Sequence, residues 1–127
     1  MNIFLFSLSI VKRKILTVLL LLFFPFKDLS AMKFLNQFDD IPVFKEMEYV
    51  EDSLILFDKI DGRYVSSKIS GSYKIKEVQD YYKKVLPNLG WNKVESNIYK
   101  RGKEILELVY IMENKKLSVI FRLYPAK

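Results

Sequence analysis

Residues 71–91 read Gly71-Ser72-Tyr73-Lys74-Ile75-Lys76-Glu77-Val78-Gln79-Asp80-Tyr81-Tyr82-Lys83-Lys84-Val85-Leu86-Pro87-Asn88-Leu89-Gly90-Trp91, and this stretch decides the fold. Ile75, Val78, Tyr82, Val85 and Leu89 fall three or four apart and share one helical stripe, while Lys76, Glu77, Asp80, Lys83 and Lys84 fall elsewhere on the wheel. The spacing predicts a helix over residues 75–86. Glu77 near its start and Lys83-Lys84 near its end suit the helix macrodipole. Pro87 should kink or tighten the last turn, and Gly90, free to adopt the left-handed conformation, should terminate it.

Beyond Gly90 the apolar period changes to two. Residues 91–95, 98–101, 104–112 and 116–124 read as strands, joined at Ser96-Asn97, Gly102-Lys103 and Glu113-Asn114-Lys115, all of hairpin length. In the last strand Leu117, Val119, Phe121 and Leu123 share one face, and Lys116, Ser118, Ile120, Arg122 and Tyr124 share the other. The strand before it is apolar on both faces: Leu106, Leu108, Tyr110 and Met112 on one, Ile105, Val109 and Ile111 beside Glu107 on the other. Such a strand is covered on both sides or forms an interface. A helix of about 12 residues, roughly 18 Å long, covers only one face of a sheet of five or six strands. The second face is then covered either by residues 34–50 folded back across it or by a partner protein or lipid seated on Ile105, Val109 and Ile111. The self-covering arrangement is favoured, because residues 34–50 contain enough apolar side chains.

On the N-terminal side of the helix, residues 54–58 form a short β-type run. It enters the turn Lys59-Ile60-Asp61-Gly62, where Gly62 accepts a positive φ without steric cost, and residues 63–70 return as its antiparallel partner. Residues 41–50 read as an extended segment, since Pro42 prevents an early helix and Ile41, Val43, Met47 and Tyr49 fall mostly two apart. Residues 32–40 form a lead-in with Phe34, Leu35 and Phe38 as anchors. The expected class is α+β: a single helix packed on a mostly antiparallel sheet, in the chain order ββαββββ.

The segment Ile41-Pro42-Val43 with Met47 soon after, a two-strand hairpin, and then Tyr81-Tyr82-Lys83-Lys84-Val85-Leu86-Pro87-Asn88-Leu89-Gly90-Trp91 together resemble a group of small exported bacterial α+β domains of uncharacterised function. That group pairs an I-P-V segment with a Y-Y-x-x-x-L-P-x-L-G-W helix end. The resemblance covers residues 41–124 and departs at Lys45-Glu46, where a Pro-Gly turn is commoner. It implies fold and compartment and transfers no site residue.

Compartment is also addressed by the first 31 residues. Lys12, Arg13 and Lys14 run into the apolar block 15–24, and the segment closes on Leu29-Ser30-Ala31, the layout of a secretory leader cleaved after Ala31. Ten residues before Pro25 and Lys27 are too few for a span of about 20. An uncleaved N-terminal anchor is the alternative, since Leu29 is bulkier than the small residue usual at that position. The expected organisation is a leader or anchor at 1–31 and one exported domain at 32–127, periplasmic or secreted, or else held at the inner membrane and facing the periplasm. Without cysteine, lipid attachment is excluded.

The leader also carries much of the charge. The chain has 21 Lys and Arg against 15 Asp and Glu, a net +6, but residues 1–31 hold four of the cations and one of the acids. The remaining 17 against 14 leaves +3, which removes the main support for nucleic acid as a partner. Lys83-Lys84, Lys100-Arg101-Gly102-Lys103 and Lys115-Lys116 read as solvated surface among Glu104, Glu107 and Glu113.

The chemistry available is narrow. Histidine and cysteine are both absent, so the chain has no imidazole base, no thiol nucleophile and no His- or Cys-ligated metal. Asp39-Asp40 and Glu51-Asp52 are adjacent pairs whose side chains diverge in extended backbone, and they read as solvated loops. No catalytic, metal-binding or cofactor-binding residue is assigned, and no cofactor is expected. Trp91, the only tryptophan, is expected to pack across the helix end and pin it to the sheet, with a sugar-stacking platform as the alternative. The function expected is a non-enzymatic binding or assembly module of the cell envelope. A membrane-tethered accessory protein and a carboxylate- or Lys-dependent hydrolase stand behind it.

Overall fold

The helix-to-strand switch at Gly90 organises the computed structural model, which describes Lys12, Lys14 and residues 32–127. The proposed cleavage point and the anchor alternative lie outside the described residues. Among the described residues seven strands make one antiparallel sheet: β1 (Glu48–Tyr49), β2 (Ile55–Lys59), β3 (Gly62–Gly71), β4 (Asn92–Glu95), β5 (Ile98–Arg101), β6 (Glu104–Glu113) and β7 (Lys116–Pro125). Helix α1 (Ile75–Asn88) separates β3 from β4. Side by side the strands run β1-β3-β7-β6-β5-β4, with β2 also paired to β3 beside β1. The class is α+β as expected, but β1 adds a strand, so the chain order is βββαββββ and not ββαββββ. Of the extended segment only Glu48 and Tyr49 form a ladder with β3, followed by the Val50 N–H, which donates to the Lys68 carbonyl; Lys45, at positive φ, turns the chain ahead of them.

Helix α1 buries Val78, Tyr82 and Leu86 and leaves Ile75, Val85 and Leu89 half-buried. The line facing the sheet therefore runs through residues four apart, and Leu86 replaces the expected Val85, which lies about 100° round the axis. Pro87 is accommodated in the last turn, and the helix continues one residue past it. Gly90, at φ +88°, ends the helix: its N–H donates to the Pro87 carbonyl and the Trp91 N–H donates to the Leu86 carbonyl. The Lys83-Lys84 pair stands more than a turn from that end, so no cation occupies the last turn.

Residues 34–47 pack on the same face of the sheet as the helix, which overturns the self-covering expectation. Leu35, Phe38, Ile41, Val43, Phe44 and Met47 join Val78, Tyr82 and Leu86 over Val65, Ile69, Leu106, Leu108, Leu117, Val119, Phe121 and Leu123. The reason is length: 14 helical residues leave part of a seven-stranded sheet bare, and the segment fills that gap beside the helix. Its path is fixed by Tyr82, whose hydroxyl donates to the Pro42 carbonyl at 2.8 Å and accepts from the Phe44 N–H at 3.1 Å.

Burial holds the Tyr82 phenol well above its ordinary value of 10.0. A raised value means that the folded state binds the proton longer than the unfolded state. Stability from this group is therefore complete below pH 10 and declines as the pH rises above it. Tyr82→Phe should cost about 1–3 kcal/mol at neutral pH by leaving the Pro42 carbonyl and Phe44 N–H buried and unpaired. Urea midpoints measured from pH 8 to 11 should fall less steeply in that variant than in the wild type.

Candidate docking surface

Strand register places the outer face of the sheet in rows. Phe57 is paired with Tyr64 across β2 and β3, Val65 with Leu123 across β3 and β7, and Tyr124 with Ile105 across β7 and β6. An aromatic row, Phe57, Tyr64, Tyr124 and Ile105, therefore crosses four strands. Beside it run Ile55, Ser66, Arg122, Glu107 and Ile98, paired in that order, followed by Lys68, Ile120 and Val109 and then by Ser70, Ser118 and Ile111. Val65 and Leu123 point into the core and only set the register; none of the other side chains belongs to the buried core, and among the described residues no second layer lies on this face. Ile105, Val109 and Ile120 are half-buried by their sheet neighbours, and Ile111 is 36% exposed.

One end of this face carries a groove of about 400 Å³ lined by Ile55, Phe57, Tyr64, Ser66, Arg122 and Tyr124. The Phe57 and Tyr64 rings stack with centroids 4.9 Å apart and planes 9° from parallel. The Lys59 ammonium caps both rings, at 5.6 and 5.1 Å from their centroids. The groove thus offers flat aromatic faces with cations at its rim. Residues 54–57, Leu-Ile-Leu-Phe, carried a signal for it: four apolar residues in succession make a strand apolar on both faces, as in β6.

Two residues read from the sequence as solvated, Arg101 and Asp40, are gathered by the structure around Trp91 at the helix end. Trp91 is fully buried, so the sugar-stacking alternative for it falls. Arg101, expected among solvated cations, lies with its guanidinium 4.2 Å from the centre of the Trp91 ring and donates to Asp40 Oδ2 at 2.8 Å and to the Leu89 carbonyl at 2.9 Å. Asp40 is accordingly a partly exposed ion-pair partner of Arg101, and the more exposed Asp39 lies 3.9 Å from Arg63. This cluster ties the lead-in to the end of α1 through β5. Glycine suits position 90 by its φ of +88°, and a Cβ there would also stand 3.3 Å from the Arg101 stem. Among the described residues no group of three or more acidic side chains is placed to hold a metal ion, and no helix is long and apolar enough to cross a membrane.

Comparison with protein-family models, with curated proteins and with solved structures yields no match for this chain. The reading of function rests on the surface itself.

Proposed function

We propose that residues 32–127 form a non-catalytic docking module of a bacterial cell envelope, holding its partner on the outer face of the sheet through Ile105, Val109, Ile111 and Ile120. One observation carries this reading: the apolar lead-in is spent on the helix side, and the doubly apolar strand β6 keeps an outer face with no described layer on it. The leader layout of residues 1–31 and the likeness to exported domains support the compartment. Docking on a flat apolar face agrees with the absence of histidine and cysteine, because affinity there comes from area and not from a reactive group.

Photo-crosslinking in the native cell tests the reading. A photoreactive residue at Ile111 of the full chain should yield a discrete adduct in the envelope fraction, and Ile120→Lys should abolish it. The same probe at Lys84, an exposed residue of α1, should yield none. Equal adducts from both positions, or recovery of the chain entirely from the cytosol, would overturn the proposal.

A further inference from the structure

The two edges of the sheet are treated in opposite ways. Strand β4, at one edge, has four residues, Asn92, Lys93, Val94 and Glu95, with a register shift between Lys93 and Glu95. Short length, charge and a bulge are the usual means of preventing a strand edge from pairing with another chain. Strand β2, beside β1 at the opposite edge, is one residue longer, has no bulge and keeps its two charges, Asp58 and Lys59, at one end. Leu54, Ile55, Leu56 and Phe57 are 43–56% exposed, and the register of β2 with β3 runs unbroken from Ile55 to Lys59, with Asp58 paired to Arg63 and Lys59 to Gly62. Ile60 at the turn is fully exposed.

Among the described residues β2 pairs only with β3, and such an edge presents unpaired N–H and C=O groups between apolar side chains, which restricts the occupant. Lipid is unsuited, because hydrocarbon cannot satisfy the backbone of a sheet edge. The occupant must itself supply a strand, and the apolar part of β2, residues 55–57, is self-complementary. Laid antiparallel about a two-fold axis at Leu56, two copies set Ile55 against Phe57 on the outer face, the aromatic and β-branched pairing that stabilises cross-strand neighbours. Leu56 then meets Leu56. Ser53 meets Lys59, which brings the Lys59 ammonium of each copy beside the acidic Glu51-Asp52 turn of the other.

We propose that two copies of this chain pair antiparallel through β2, joining their sheets into one continuous sheet of fourteen strands. This self-pairing uses the edge and not the outer face, so it stands apart from the docking proposed above. It also extends the outer face across both copies, presenting a partner with two aromatic grooves.

The full chain, studied by sedimentation equilibrium over the micromolar range, should approach twice the monomer mass. Leu56→Lys should return it to the monomer while Trp91 fluorescence and far-UV circular dichroism stay native, and Ile111→Lys should leave the dimer intact. Because the chain has no cysteine, Leu56→Cys should form a disulfide-linked dimer under mild oxidation, whereas Val94→Cys on β4 should not; this readout decides the matter even if Leu56→Lys fails to fold. A chain that stays monomeric, a dimer that survives Leu56→Lys or dissolves with Ile111→Lys, or equal cross-linking at both cysteine positions would overturn the pairing. So would a monomer that sediments with phosphatidylglycerol vesicles through Leu56. None of these outcomes bears on the Ile111 adduct.

Discussion

Trp91→Ala is expected to lower the stability of the fold by about 3–5 kcal/mol, the range found when a large buried aromatic is truncated. A domain of this size has only about 5–15 kcal/mol in total, so the variant should lie near its unfolding threshold. The cost has two sources. The ring is fully buried, so its removal leaves a cavity where α1 hands the chain to β4. The ring is also the floor on which the Arg101 guanidinium rests, and Arg101 in turn holds Asp40 and the Leu89 carbonyl. Trp91→Phe keeps an aromatic floor and should cost less. Urea unfolding followed by far-UV circular dichroism checks this: the midpoint should fall sharply at unchanged slope. A midpoint within error of the wild type would show that the helix end is held by the Gly90 turn alone.

Phe121→Ala is expected to cost a similar amount, about 3–5 kcal/mol, and to loosen a different part of the molecule first. Phe121 is fully buried at the centre of β7 and meets Phe38 and Tyr82 edge to face, with ring centroids 6.1 and 5.2 Å away. One side chain thus joins sheet, helix and lead-in. The lead-in is otherwise attached through polar contacts, the Tyr82 hydroxyl to Pro42 and Phe44, the Asp40–Arg101 and Lys45–Glu77 ion pairs and Arg63 to the Gln37 carbonyl, while the Leu35 and Val43 amides bond only within the segment itself. In the variant the amides of Leu35 and Val43 should therefore exchange well before those of β6 and β7. Exchange rates that rise uniformly across the domain would instead make Phe121 a general core residue with no special hold on residues 34–47.

Much of the architecture was legible because it is written in local periodicity. The 3.6-residue stripe before Gly90 and the two-residue alternation after it gave α1 and the last four strands nearly to the residue, and the Lys59-Ile60-Asp61-Gly62 turn gave the first hairpin. Two local readings fell short for the same reason. Leu86 in place of Val85, and Arg101 in place of a solvated cation, depend on which neighbours lie across a non-local contact, and no spacing within the chain reports that. Of the docking surface, Ile105, Val109 and Ile111 were readable as the second face of a doubly apolar strand. Phe57, Tyr64 and Tyr124 were not, because only the pairing of β2, β3 and β7 brings residues 57, 64 and 124 into one row.

By itself the sequence determined the α+β class, the end of the helix at Gly90, the antiparallel hairpins and the loss of imidazole, thiol and His- or Cys-ligated metal chemistry, since each follows from residue type and spacing along the backbone. The tertiary structure decided which face of the sheet residues 34–47 cover. Apolar composition states that a segment will be buried but not against what; here the short helix left a gap on its own side, Tyr82 offered the backbone partners that fix the segment there, and the outer face was left with no described layer on it.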